Sequence, residues 1–227
     1  MPLQAIIFDF HGLVLDTESA EFAGWSEVFR SHSVDLDIHE WAKCVGRAPE
    51  EWLPESHLQD LVGEPIDLRQ ARLDAFRLRD EILVDLQPLP GAVELLDELA
   101  HESVPVAIAS SSRSVWVEGL LANIGLRDRF PVIKTRDIVG KAKPWPDLYL
   151  AACQALEVSP SCSVALEDSP VGVSAAVSAQ MSVVAVPNNV TRHFDLSNAH
   201  LVLESLADLS LARARELVLA NETSIGD

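Results

Sequence analysis

Short apolar runs rich in β-branched residues alternate with amphipathic stretches along most of this chain. Ala5–Phe10, Val104–Ala109, Val132–Lys134, Val164–Leu166 and Val183–Val186 are strand candidates, with a shorter one at Leu201–Leu203. Helical patterns lie between them. Pro90-Gly91 opens Ala92–Glu102, where Val93, Leu95, Leu96 and Leu99 share a face. Val115–Ile124 follows the second run, and Pro146 and Pro170 stand at the starts of Leu148–Leu156 and Val171–Ala179. Proline is tolerated at a helix start because the N–H it lacks has no intrahelical partner there. Strand and helix periods that alternate in this way predict an α/β fold, a Rossmann-like parallel sheet with helices on both faces.

One long stretch interrupts the alternation. From about Thr17 to Leu86 no convincing strand occurs, and Glu18–Arg30, Ile38–Cys44, Pro49–Leu53 and Leu68–Leu83 read as helical. Gln87-Pro88-Leu89-Pro90-Gly91 then restarts the α/β pattern. The expected organisation is a catalytic core of residues 1–16 and 87–227 carrying an inserted α-helical cap, residues 17–86. Hinges are expected near Leu15–Thr17 and Gln87–Pro90.

Open parallel sheets bind ligands beyond the carboxyl ends of their strands. Applied here, that rule selects Asp9-Phe10-His11-Gly12, Ser110-Ser111-Ser112-Arg113, Lys141 and Lys143 in the loop after the third strand, and Glu167-Asp168-Ser169. Asp9, Glu167 and Asp168 make a hard oxygen cluster of the kind Mg²⁺ prefers, and a divalent cation relieves their mutual repulsion. Ser110 and the turn after it supply donors for phosphate at a helix start. A lysine completes a cationic clamp, and phosphoryl transfer depends mainly on positioning and on neutralising charge. Taken singly, these residues have plainer uses: Asp in a turn, Ser as a helix cap, Glu-Asp at a helix start. Their recurrence at the ends of separate strands is what points to chemistry.

The charge balance narrows the partners. Seventeen Lys and Arg against 35 Asp and Glu leave a formal charge of −18. Nucleic acid and anionic membrane both need basic patches, so neither is an expected partner. No apolar run approaches the ~20 residues of a bilayer span. The N-terminal apolar run stops at Asp9 and reads as a strand, not a signal peptide. Cys44, Cys153 and Cys162 match no metal-binding spacing and are expected to be reduced thiols in a cytoplasmic protein.

The motifs resemble those of the haloacid dehalogenase superfamily of hydrolases. Phe8-Asp9-Phe10-His11-Gly12-Leu13-Val14-Leu15-Asp16-Thr17-Glu18 is similar to its first motif and Ala109-Ser110-Ser111-Ser112-Arg113 to its second. Lys143-Pro144-Trp145-Pro146-Asp147 is similar to the third and Leu166-Glu167-Asp168-Ser169 to the fourth; Pro90-Gly91 and Val171-Gly172 also fit. The likeness runs along essentially the whole chain. It is greatest to the β-phosphoglucomutase-like group, which carries a helical cap directly after the first motif.

The resemblance implies roles. Asp9 would be the nucleophile that becomes an aspartyl-phosphate, with Ser110 and Lys143 holding the transferred group. Asp9, Asp168, Glu167 and the backbone carbonyl of His11 would hold Mg²⁺. Thr17, Gly46 and Arg47 fall where the family has its cap hinge and specificity loop. Ser111 belongs to the phosphate-binding turn, and Ser112 and Arg113 are placed to meet a second anionic group; a solvated surface charge is the alternative for Arg47 and Arg113. The partner implied is a small phosphorylated substrate, and nothing in the sequence sets an oligomeric state.

Two positions depart from the pattern. Where the family's phosphatases and mutases carry an acid/base Asp, this chain has His11. An imidazole with an ordinary pKa of ~6.5 can transfer protons near neutrality. Either His11 substitutes as the acid/base of a working phosphatase, or turnover is impaired and the protein binds a phosphorylated ligand, or the chemistry has left phosphate esters. Dehalogenase relatives also lack that Asp, but they usually lack the acidic pair at Glu167 and Asp168 as well. Glu21 stands where the mutase-like group often has His, which weighs against a phosphosugar mutase. No cap lysine suggests Schiff-base phosphonate hydrolysis. The leading expectation is a Mg²⁺-dependent phosphatase.

Overall fold

A computed structural model describes residues 3–41, 45 and 52–225. Six strands, β1 (Ala5–Phe8), β2 (Val106–Ser110), β3 (Val132–Thr135), β4 (Ser163–Glu167), β5 (Ser182–Ala185) and β6 (Leu201–Val202), form one sheet in the order β3-β2-β1-β4-β5-β6. Every adjacent pair is parallel, with Phe8 level with Ile108 on one side and Leu166 on the other. β1 therefore lies at the centre, and chain order reverses around it. The crevice of an open α/β sheet lies at such a switch point. The expected α/β class holds, with strand ends shifted by one or two residues.

Side chains of successive strand residues leave the sheet on opposite faces. Ile6, Phe8, Ile108, Val164 and Leu166 enter one apolar core, while Ile7, Ala107, Ala109 and Ala165 enter the other. The first core is closed by α5 (Ala92–His101), α6 (Ser114–Asn123) and α10 (Leu211–Ile225), through Leu95, Leu96, Val117, Leu121, Ala214 and Val218. The second is closed by α8 (Asp147–Leu156) and α9 (Pro170–Ser178), through Leu148, Tyr149, Ala152, Val173 and Ala176. The smaller strand residues on that face leave room for the α8 side chains. α7 (Arg136–Val139) is a single turn after β3.

Between β1 and α5 the chain forms α1 (Thr17–Ser31), α2 (Ile38–Trp41), α3 (Pro54–Val62) and α4 (Leu68–Leu83). They enclose a separate cluster that includes Trp25, Phe29, Trp41, Leu58 and Ala75, with Val190 beyond β5 packed into it. Their two connections to the sheet run side by side: Leu15 bridges Pro88, and the Leu89 N–H donates to the Val14 carbonyl at 2.9 Å.

Two helical expectations need correction. Of the predicted helix Pro49–Leu53, Trp52 and Leu53 are non-helical and the remainder lies outside the described residues. Leu53 is extended (φ −115°, ψ 111°), as the ring of the following proline requires, and the helix starts at Pro54. The predicted Ile38–Cys44 is helical to Trp41, and residues 42–44 lie outside the described residues. α10, which the alternation did not suggest, buries Leu211, Ala214 and Val218 on one face.

Candidate active site

The loops after β1, β2, β3 and β4 converge on a cavity of about 490 Å³. Asp9, the first residue past β1, is 6% exposed and donates its backbone N–H to the Leu166 carbonyl at 2.9 Å. Lys143, 2% exposed, arrives from the loop after α7 and pairs with Asp9 Oδ1 and with Glu167 Oε1, the latter at 2.5 Å. Its own N–H donates to Ser111 Oγ at 3.2 Å, which fixes the lysine loop to the turn after β2. Burial alone would lower the pKa of this ammonium, but the Asp9 and Glu167 carboxylates outweigh it and hold the pKa above the usual lysine value.

Glu167 is fully occupied by protein donors. Oε1 accepts from Lys143 and from the Tyr149 hydroxyl, and Oε2 accepts from the Asp168 N–H and the Ser169 hydroxyl, each at 3.3 Å. A Cβ at position 172 would collide with this carboxylate, so only Gly172 fits beneath it. Glu167 is absent from the cavity lining, whereas Asp9, Lys143, Asp168, Ser110, Ser111 and Ser112 all reach it.

Asp168 Oδ2 accepts from Asn188 Nδ2 at 2.8 Å, and the same amide donates to the Gly12 carbonyl at 3.1 Å. Gly12 has φ +77°, and a side chain there would strike the Asp168 carboxylate and the Asn188 amide. Burial, then repulsion from Asp9, Glu167 and Glu18, pushes the Asp168 pKa well above the carboxylate range. Oxygens of Asp9, Glu167 and Asp168 lie within 4.8 Å of one another. Among the described residues, no hydrogen bond occupies the second oxygen of Asp9, the second oxygen of Asp168 or the His11 carbonyl. Hard oxygen donors with uncompensated repulsion fit a divalent cation such as Mg²⁺.

His11 lines the cavity. Nδ1 is 2.7 Å from Thr17 Oγ1, while Nε2 is buried with no hydrogen-bond partner among the described residues. Burial, followed by the positive charges of Lys143 and Arg79, lowers its pKa to about 3. Thr17 is itself buried and off the cavity wall, so it meets the site through His11. The Asp16 carboxylate caps α1 by accepting from the Ser19 N–H at 3.0 Å.

Ser110 is buried and its Oγ accepts from the Ser112 N–H at 3.2 Å. Arg113 lines the cavity from an exposed position just before α6. The first N–H and hydroxyl of α6, both of Ser114, donate to Asp137 at 3.0 and 2.8 Å. Asp137 also accepts from Thr135 Oγ1 at 2.7 Å, and these hydrogen bonds lower its pKa to about 2. Gly46 and Arg47 lie outside the described residues.

The opposite wall comes from the helices between β1 and α5. Trp25, Trp41, Trp52 and Phe76 line it, together with Glu18, Glu21 and Arg79. The Arg79 side chain, 12% exposed, pairs with Glu21 at 3.4 Å and Asp80 at 2.7 Å. Its guanidinium lies over the rings of Phe76 and Trp116. Sequence reasoning passed over Tyr149, Asn188 and Arg79. Asn188 lies just past the end of β5, where the strand-end rule could have found it; nothing local singles out Arg79.

The fold is a Rossmann-like α/β hydrolase core with an acid-rich site at the ends of its parallel strands. The chain belongs to the haloacid dehalogenase-like hydrolase family, whose model matches residues 3–180. YhcW of Bacillus subtilis, named as a candidate phosphatase, is 38% identical over 92% of this chain and 95% of its own length. The validoxylamine A 7'-phosphate phosphatase of Streptomyces hygroscopicus subsp. limoneus is 28% identical over 89% of this chain and 94% of its own. The crystal structure of β-phosphoglucomutase from Clostridium difficile superimposes with a TM-score of 0.76 at 22% identity, covering 99% of this chain and 100% of that one. That last likeness speaks for the fold. Among the described residues no helix is long and apolar enough to cross a membrane.

Proposed function

We propose that the protein is a Mg²⁺-dependent phosphomonoesterase that acts on a small phosphorylated metabolite through an aspartyl-phosphate on Asp9. The observation that carries this reading is Lys143, whose ammonium joins Asp9 to Glu167 at the cavity floor. A buried ammonium there both orients the nucleophile and offers charge to an incoming phosphoryl group. Glu167, bonded on both oxygens, anchors Lys143 and Asp168. Asp9, Asp168 and the His11 carbonyl would hold Mg²⁺, which supplies Lewis-acid neutralisation of phosphoryl charge.

Asp9 attacks phosphorus and displaces the leaving alcohol, and water then hydrolyses the acyl-phosphate and regenerates Asp9. Ser110 and the turn through Ser112 bind the phosphoryl oxygens. His11 stands in the position of the family's acid/base Asp, and its neutral imidazole offers Nε2 as a proton acceptor there. Residues 17–86 act as a cap on a core of residues 1–16 and 87–227, and the paired connections at Leu15 and Pro88 are its hinge. The relatives named as phosphatases support the reaction class. A cytoplasmic location is in keeping with the buried Cys153 and Cys162, which form no disulfide.

The test is release of phosphate from a phosphomonoester panel. Release should need Mg²⁺ and fall by at least about 100-fold in Asp9→Asn. Undiminished release by Asp9→Asn would sink the proposal.

A further inference from the structure

The chain past β5 reaches back to the acidic centre. Asn188, 7% exposed, lies just beyond the end of β5, and its side chain spans segments that follow two other strands. Nδ2 donates to Asp168 Oδ2 at 2.8 Å, after β4, and to the Gly12 carbonyl at 3.1 Å, in the loop after β1. A primary amide carries two N–H donors, and both are used here.

The other end of the amide is equally committed. Oδ1 accepts from the Val190 N–H at 2.8 Å and from the Thr191 N–H at 3.0 Å. An atom that receives two backbone donors is the amide oxygen, so the nitrogen is the atom that faces Asp168. The Asn188 N–H donates to Thr191 Oγ1 at 3.0 Å, and Thr191 is fully buried. Val190, 2% exposed, packs into the cluster enclosed by the helices after β1. The turn that carries the amide is thus pinned from outside, and the amide cannot swing away from Asp168 without breaking bonds to backbone. The plain use of an asparagine in a turn, accepting from backbone N–H groups a few residues on, accounts for Oδ1. It does not account for Nδ2, which leaves the turn to meet two other loops.

We infer that Asn188 is a positioning residue for the divalent cation. It holds Asp168 by one carboxylate oxygen, leaves the other for the ion, and ties that carboxylate to the loop that carries Asp9 and the His11 carbonyl. This rests on the reading of Asp9 and Asp168 as ion ligands. Ligands from separate loops must be held in place before the ion arrives, or binding must supply the ordering. The amide bridges the two loops concerned, and the tight fit at Gly12 keeps all three groups together. A neutral donor suits this task, because it orients the carboxylate and leaves its charge for the cation.

The test is Mg²⁺ binding by the full chain, measured by titration calorimetry without substrate. Asn188→Ser keeps an oxygen that can accept from the N–H groups of the turn but is too short to reach Asp168. It should bind Mg²⁺ at least about tenfold more weakly than wild type. Thr191→Val is the control. It removes the hydroxyl within the turn and leaves both Nδ2 bonds in place, and its Kd should stay within about threefold of wild type. Equal weakening in the two variants would overturn the inference, as would an Asn188→Ser protein that binds like wild type. If the serine variant does not fold, the wild-type protein carries the test by proton–nitrogen NMR. The Asn188 side-chain amide signals should move in step with Mg²⁺ saturation, and signals that stay fixed would overturn the inference. Asp168→Asn separates the two readings. If it abolishes binding while Asn188→Ser leaves binding unchanged, the ion site stands and only the role of Asn188 falls. If Asp168→Asn binds as wild type does, the ion lies elsewhere and both readings fall.

Discussion

The Arg79 guanidinium lies 4.5 Å from the centroid of the Trp116 ring, joining α4 to α6. Arg79 comes from the helices that follow β1, and Trp116 follows the turn after β2. The same guanidinium lies 4.4 Å from the Phe76 ring and pairs with Glu21. One cation therefore joins both walls of the cavity, and a planar guanidinium suits stacking in a way an ammonium does not.

Arg79→Ala should lower stability by about 1–2 kcal/mol, because it removes ring contacts and leaves Glu21 without its cation. Arg79→Lys should recover only part of this. Urea denaturation midpoints at constant slope measure both. Equal stability of all three proteins would show that the stack contributes nothing.

Lys143→Met should be costlier, about 3–5 kcal/mol, since Asp9 and Glu167 would be left buried without their shared cation. Phosphatase activity should disappear with it. A second substitution, Glu167→Gln in the same chain, should recover part of the stability and none of the activity. The double-mutant cycle reads the coupling directly.

Mg²⁺ should stabilise the fold by relieving repulsion at Asp168. At a concentration a hundredfold above its Kd the gain is about 2.7 kcal/mol. Thermal unfolding with Mg²⁺ and with EDTA measures it, and Asp168→Asn should abolish the difference. A persistent shift in that variant would place the ion elsewhere.

His11 leads to a pH prediction with a definite sign. Its folded pKa is about 3 against an ordinary value of 6.5. The unfolded chain therefore binds a proton at His11 that the folded chain refuses. Stability falls as pH drops from about 6.5 towards 3 and gains nothing from this residue above that window. His11→Asn should remove this contribution to the acid slope. Separately, His11→Asp restores the family's carboxyl and should raise phosphatase turnover at least tenfold if residue 11 limits it.

Much of the site could be read from the chain order. Asp9, Ser110, Lys143 and Asp168 were selected because each follows a strand in a parallel sheet, and they line one cavity. The role of Glu167 was less legible. Counting carboxylates put it beside a metal, and its oxygens do lie within 4.8 Å of those of Asp9 and Asp168; what the count did not show is that they also accept from Lys143, Tyr149, the Asp168 N–H and Ser169. Thr17, expected at the substrate, lies 2.7 Å from His11 Nδ1 through its Oγ1. Hydrogen-bond partners of this kind depend on loops far apart in sequence meeting at one point, and no local pattern records that meeting.

The alternation of strand and helix periods was enough to establish the parallel sheet, because periods of 2.0 and 3.6 dictate which faces must be buried. The motifs at the strand ends were enough to establish the family and the acidic centre. What the tertiary structure supplied was the far wall. Glu18 and Glu21 are only three residues apart on α1, yet one lies among Asp9 and Asp16 and the other meets Arg79. Burial raises the pKa of both carboxyls, and the Arg79 cation offsets part of that rise at Glu21 alone, since burial and neighbouring charge act through space. Asp9 carried its chemistry in its sequence position, whereas the difference between Glu18 and Glu21 exists only after α4 has packed on α1.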